Sequence, residues 1–236
     1  MIIAANLKTN LTRSETKKYL DALESFLNAQ NIDQKVMVFP AMTSLQEHSG
    51  KVCVGAQNAY ATQNGAFTGE IGLDHLKEFG INTILIGHSE RRHILGETQE
   101  SIVEKFNYYK ELGFEIVYCI GEPLDVREAG EEAMLDYLDA QYKGIDTEYE
   151  KLTIAYEPVW AIGTGKVPTL EDIESLHTKL KEKSSAPLLY GGSVKVSNAK
   201  EILALENVDG VLVGGAALYV EHFSTMCAYA QELDNK

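Results

Sequence analysis

The chain has 236 residues, 44% hydrophobic and 24% charged, enough apolar material to bury a sizeable core. Its 35 acidic side chains outnumber 21 basic ones, and the formal charge of −14 argues against sequence-independent binding to nucleic acid phosphates or anionic lipid. No run approaches the roughly 18–20 apolar residues of a membrane span, Met1-Ile2-Ile3-Ala4-Ala5-Asn6 lacks the basic start of a signal peptide, and three widely spaced cysteines (Cys53, Cys119, Cys227) predict reduced thiols and a cytoplasmic home.

Short apolar, β-branched runs recur at residues 2–5, 35–39, 51–55, 83–87, 115–120, 152–156, 187–190 and 210–213. They are continuous rather than alternating, the pattern of parallel strands buried on both faces. Helix-like stretches separate most of them. Residues 14–28 carry Tyr19, Leu20, Leu23, Phe26 and Leu27 at helical spacing. Residues 43–48 suffice for only a turn or so of helix. Helices over 73–79 and 97–112 are each followed by a glycine, Gly80 and Gly113, in C-cap position. A helix over 128–142 comes next, then one over 169–183 with Thr169 as N-cap and Glu171 and Asp172 in its first turn. Residues 197–205 and 221–233 complete the series.

Eight strand–helix units without a Pro/Ser-rich linker predict one α/β domain over residues 1–236, a closed (β/α)8 barrel. The rival is a doubly wound open sheet. Its first strand is often followed by GxGxxG, where this chain has Asn6-Leu7-Lys8-Thr9-Asn10.

In such a barrel the functional groups sit at the carboxyl ends of the strands. Those ends deliver Asn6 and Lys8, Gln57 and Asn58, His88 and Glu90, Glu157, Gly191-Gly192-Ser193, and Gly214-Gly215. A lysine, a histidine and a glutamate on three strands supply a cation, a hydrogen-bond donor and a carboxylate base. Each alone has a plainer reading: Lys8 as a solvated loop lysine, His88 as a structural histidine in a charged cluster, Glu157 as a salt-bridge partner. His88, Glu90 and His93 do not match the spacing of a helical zinc site, and no metal is expected. The two glycine pairs occupy equivalent places in successive units. Residues without Cβ let backbone amides approach a ligand, and after the last two strands of a barrel such amides commonly cradle phosphate. The apolar stretch from Pro158 to Pro168 holds the only tryptophan, Trp160, and reads as a lid that excludes water.

These residues resemble the triosephosphate isomerase family. The resemblance is carried by Asn6-Leu7-Lys8, Gly55-Ala56-Gln57-Asn58, Gly65-Ala66-Phe67-Thr68-Gly69-Glu70, and Ile86-Gly87-His88-Ser89-Glu90-Arg91-Arg92. It continues through Cys119-Ile120-Gly121-Glu122, the stretch from Tyr156 to Lys166, Tyr190-Gly191-Gly192-Ser193-Val194 and Val213-Gly214-Gly215-Ala216. It implies interconversion of dihydroxyacetone phosphate and D-glyceraldehyde 3-phosphate, a step of glycolysis and gluconeogenesis, without a cofactor. It makes Glu157 the base, His88 a neutral electrophile, and Lys8 and Asn6 stabilisers of the enediolate. Gly163, Ser193, Gly214 and Gly215 would hold the phosphate. It also implies a homodimer through the loop from Asn58 to Glu70, with Thr68 reaching the partner's Asn6 and Glu90 region. Two departures stand out: Leu7 replaces the family's tryptophan beneath Lys8, and the chain is short around residues 141–151. Another phosphate-binding isomerase or lyase, or a non-catalytic phosphometabolite-binding barrel, would share the glycine pairs but would not require the 156–166 segment or the Lys8–His88–Glu157 set.

The charge is uneven. Residues 122–151 hold ten acidic and three basic groups, which predicts one solvated acidic flank, while residues 1–35 carry a small positive excess that includes Lys8. A small phosphate ester therefore remains compatible with an acidic chain.

Overall fold

Ile2 and Ala4 of the first strand face one apolar cluster, and Ile3 and Ala5 face another. This two-sided burial explains why the strands read as unbroken apolar runs. The computed structural model describes residues 1–162 and 168–234. Eight parallel strands form one sheet: β1 (Ile2–Asn6), β2 (Lys35–Phe39), β3 (Val52–Val54), β4 (Thr83–Ile86), β5 (Glu115–Ile120), β6 (Leu152–Tyr156), β7 (Leu188–Tyr190) and β8 (Gly210–Val213). The spatial order is β3-β2-β1-β8-β7-β6-β5-β4. Beyond the end of β3, Ala56 donates to Thr83 O at 2.9 Å and accepts from Leu85 N at 2.8 Å, which joins the two edges and closes the barrel.

The interior is filled by Ile2, Ala4, Met37, Phe39, Leu85, Val117, Cys119, Ala155, Leu189 and Leu212, small side chains alternating with large ones. Opposite residues of the same strands pack outward on the helices. These are α1 (Arg13–Ala29), α2 (Leu73–Glu78), α3 (Ser89–His93), α4 (Gln99–Glu111), α5 (Leu124–Glu128), α6 (Glu131–Tyr142), α7 (Leu170–Lys181), α8 (Val196–Leu203) and α9 (Val220–Asp234). Helix α1 lays Tyr19, Leu20, Leu23 and Leu27 on the sheet, as its spacing predicts. Thr169 caps α7 by accepting the Asp172 N–H at 3.1 Å, while the Asp172 carboxylate accepts the Thr169 N–H at 3.2 Å. Among the described residues no helix is long and apolar enough to cross a membrane.

Residues 43–48 were expected to give only a turn or so of helix, and the chain forms a single 3-10 turn there, Met42–Ser44. Three readings are corrected. The helix expected over 128–142 starts only at Glu131, because Gly130, with a φ of 109°, lies outside the helical region and separates it from the short helix α5. Helix α3 was hidden in a polar run, Ser-Glu-Arg-Arg-His, with no apolar periodicity to reveal it. The acidic stretch 122–151 is not wholly solvated, because Glu122 at its start is fully buried. Helix α6 still runs twelve residues, and turns and coil connect it to β6.

Candidate active site

All eight strands point their carboxyl ends to one mouth, and there a cavity of about 890 Å³ opens. Asn6, Lys8, His88 and Glu157 line it on one side, and Gly191, Gly192, Ser193, Gly214 and Gly215 on the other. Seven of the eight residues singled out as catalytic or substrate-binding are therefore brought together. The eighth, Gly163, lies outside the described residues, as do residues 163–167 of the lid reading on 158–168.

Lys8 follows β1 in a left-handed conformation (φ 53°), unusual for a residue with a side chain. Three contacts hold it there. Its N–H donates to Asn6 Oδ1 at 3.0 Å, its carbonyl accepts from Gln57 Nε2 at 2.6 Å, and its Nζ pairs with Glu90 Oε1 at 2.6 Å. Leu7, in the family's tryptophan position, is fully buried in the outer core, and its N–H donates to Phe39 O at 3.0 Å. The packing beneath Lys8 is thus closed by the smaller side chain.

His88 ends β4 and caps α3: its Nδ1 accepts the Glu90 N–H at 3.2 Å. That bond needs a lone pair on Nδ1, which places the ring proton on Nε2, 3.0 Å from Glu157 Oε1. Glu157 follows β6, and its second oxygen accepts the Ser89 N–H at 3.0 Å. Both side chains are almost completely buried. Burial pushes the Glu157 carboxyl up, but His88, the Ser89 N–H and Lys8 outweigh it and hold the group below the usual carboxylate range. For His88, burial pushes down, and Glu157 and then Glu90 pull it above the usual imidazole value. The two groups stabilise each other while in contact.

The other side of the cavity is built from missing side chains. A Cβ on Gly191 would lie 2.9 Å from Glu157 Cγ, and one on Gly192 would overlap the Tyr190 hydroxyl. At Gly214 it would meet Lys8 Cε at 3.3 Å. Gly215 has open space before it. Lys195 and the first residues of α8 also line the cavity. Among the described residues that line it, the only carboxylate is Glu157, against Lys8 and Lys195, so an acidic chain presents an anion-compatible mouth. Among the described residues no group of three or more His, Cys, Asp or Glu side chains could hold a metal ion.

Sequence reasoning missed the residues that brace this set. Glu90 appeared only as a strand-end residue, yet it anchors Lys8 and donates its N–H to the His88 cap. Ser89 supplies the amide that holds Glu157. Arg92 donates to Gly87 O, the Tyr118 hydroxyl, Cys119 O and Gln99 Oε1, tying α3 to β4 and β5. Glu122 accepts from the Tyr156 hydroxyl and from Trp160 Nε1, each at 3.0 Å, and burial pushes its carboxyl up. Their one shared signal is a polar residue within a few positions of a strand end.

The family model described as triosephosphate isomerase matches residues 1–230. Among curated relatives, the triosephosphate isomerase of Sulfurimonas denitrificans is 69% identical over the whole chain and 98% of its own length. Those of Sulfurovum sp. and Wolinella succinogenes are 60% and 54% identical over 96% of the chain, covering 99% and 98% of their own lengths. With a closed barrel, the Lys8–His88–Glu157 set at its mouth and this similarity along its full length, the chain belongs to the triosephosphate isomerase family.

Proposed function

We propose that this barrel interconverts dihydroxyacetone phosphate and D-glyceraldehyde 3-phosphate, with Glu157, His88, Lys8 and Asn6 carrying the chemistry. The observation that supports it most is one cavity lined by a buried carboxylate, an imidazole and a lysine opposite a glycine cradle. As a member of its family the chain is an isomerase. Glu157 takes a proton from the carbon beside the carbonyl. His88 Nε2 donates a hydrogen bond to the carbonyl oxygen, and Lys8 and Asn6 stabilise the enediolate charge. Glu157 then returns the proton to the neighbouring carbon, while a proton passes through His88 Nε2 from the substrate hydroxyl to the former carbonyl oxygen, so that the hydroxyl becomes the new carbonyl and no redox partner is consumed. The amides of Ser193, Gly214 and Gly215 hold the phosphate, joined by Gly163 of the lid.

The resting contacts explain how the two groups are tuned. When Glu157 leaves His88 and the Ser89 N–H to reach substrate, the largest influences that lowered its pKa are lost, and burial is left against Lys8. It becomes a stronger base. The same departure removes the largest influence that raised His88, leaving burial, the largest of all, and Lys8 to push it down against Glu90. His88 is then neutral when it must act as a donor.

The chain works as a homodimer through the loop from Asn58 to Glu70. Phe67 stands 42% exposed in that loop, its ring 4.4 Å from that of Tyr60. Behind Lys8 a second cavity of about 560 Å³ is lined by Gln57, Glu90, Ile94 and Leu95, with Ile94 76% and Leu95 66% exposed. A partner's Phe67 loop and Thr68 suit this apolar hollow and brace Lys8 from outside. The whole of 1–236 acts as one domain, and the free thiols of Cys53, Cys119 and Cys227 suit the cytoplasm.

The test is turnover of glyceraldehyde 3-phosphate by the purified chain in a coupled assay. Undetectable turnover sinks the reading, and full activity in Glu157→Ala sinks the mechanism. Phe67→Asp is expected to give monomers of low activity, and a fully active monomer in light scattering contradicts the dimer.

A further inference from the structure

The catalytic base has a wall behind it that the reaction itself does not explain. Gly121 follows β5, and a Cβ there would overlap the backbone carbonyl oxygen of Glu157. The peptide of Gly121 is thus packed directly on the peptide that carries the base. The β5–β6 pairing has run out at this point: its last register pair is Ile120 with Tyr156, and the Glu157 N–H donates to Ile120 O at 2.7 Å. Gly121 is held instead by one side chain. Gln141, on the last turn of α6 and 6% exposed, accepts the Gly121 N–H at 3.0 Å through Oε1 and donates Nε2–H to Gly121 O at 2.9 Å. One carboxamide satisfies both polar groups of one peptide-bearing residue, in a fixed orientation.

Gln141 is itself fixed. Its backbone carbonyl accepts from the Tyr118 hydroxyl and from Gln99 Nε2. Tyr118 also receives Arg92 Nη2–H at 2.9 Å, and Arg92 is on α3, the helix whose first amides hold His88 and Glu157. A continuous network, buried at its ends and partly buried through Arg92 and Gln99, therefore runs from α6 through β5 to both ends of the His88–Glu157 contact. Ser193, Gly214 and Gly215, the residues proposed to hold the phosphate, are outside it, whereas the Gly191 N–H donates to Tyr156 O at 2.7 Å.

We propose that Gln141 is a positioning residue for this reaction: by clamping Gly121 it fixes the peptide of Glu157 and hence the reach of the base. The inference rests on Glu157 being the base. Removing the carboxamide orphans two buried backbone groups and frees the Gly121 peptide to turn, which displaces Glu157 without touching the phosphate cradle. A displacement of about 1 Å is enough to cost up to about 100-fold in rate.

The experiment uses the full-length enzyme with Gln141→Leu and Gln141→Glu. In Gln141→Leu, kcat is expected to fall by about 10- to 100-fold, with KM and inhibition by inorganic phosphate within about twofold of wild type. In Gln141→Glu, the ionised carboxyl can only accept, so it repels Gly121 O. The protonated carboxyl has one donor and one acceptor and restores both bonds. Its kcat, divided by that of wild type at each pH, is therefore expected to rise as pH falls from about 9 to about 6, the span over which a buried carboxyl takes up its proton. A Gln141→Leu enzyme with wild-type kcat, a Gln141→Glu ratio flat with pH, or a loss confined to KM each overturns the proposal. Should Gln141→Leu fail to fold, the Gln141→Glu profile decides alone. Absence of turnover in the wild type would instead sink the functional reading beneath it.

Discussion

On the β4–β6 side of the mouth, His88 and Glu157 are held by side chains and amides from three elements, and every atom that matters to the chemistry has a named partner. On the β7–β8 side, Gly191, Gly192 and Gly214 matter because they have no side chain to hold. The first half fixes protons and charge. The second shapes a space and turns peptide groups toward it. Side-chain chemistry tolerates little displacement of its atoms, whereas a backbone cradle depends chiefly on staying uncrowded. Substitutions on the two halves should therefore separate: kcat on one side, KM on the other.

The largest effect expected is from Glu157→Gln, which keeps shape and removes the base: kcat drops by about 10³-fold with KM little changed. Steady-state kinetics that show the loss in KM instead would break the division. His88→Gln, which leaves a weaker donor, is expected to lower kcat by about 10²-fold. On the cradle side the glycines themselves should divide. Gly215→Ala has open space for its methyl and should fold with an unchanged melting temperature while KM rises several-fold. Gly192→Ala overlaps the Tyr190 hydroxyl and comes 3.0 Å from Pro158 Cγ, so it should melt earlier. Equal melting temperatures for the two variants would show that the cradle is less tightly packed than its contacts indicate.

The smallest effect concerns the seam between the halves. His177 is fully buried beside the rings of Tyr156 on β6 and Tyr190 on β7, with Nδ1 2.9 Å from Asn207 O. Burial pushes its pKa down to about 4 from 6.5. The unfolded chain therefore binds a proton near 6.5 that the folded chain takes up only near 4. Stability is full above that window and declines as pH falls through it, by about 3 kcal/mol. Denaturant unfolding of His177→Phe should show a correspondingly shallower loss between those limits. An identical pH profile in variant and wild type would rule out His177 as the cause.

How legible was the molecule? The strands were, because parallel strands buried on both faces leave an unbroken apolar signature; β2, β5, β6 and β8 have the bounds their runs predict. The capped helices were also legible, as Thr169 shows with its side-chain bond to Asp172. Helix α3 was not, since five polar residues carry no period; it forms because His88 caps it and Arg92 ties it to β4 and β5. The break at Gly130 was passed over because an apolar count cannot register one residue's positive φ.

The same divide holds at the site. The sequence by itself determined which residue types stand at strand ends, the glycine pairs that leave room for phosphate, and a resemblance that covers nearly the whole chain. Those are local properties, set by residue type and spacing. Only the tertiary structure decided that Glu90, far along the chain, anchors Lys8, that the Ser89 amide holds Glu157, and that Gln141 clamps the peptide behind it. It also decided that Glu122, counted with a solvated acidic flank, is buried against Tyr156 and Trp160. These contacts join residues tens of positions apart, and closing the barrel is what brings them within hydrogen-bonding reach.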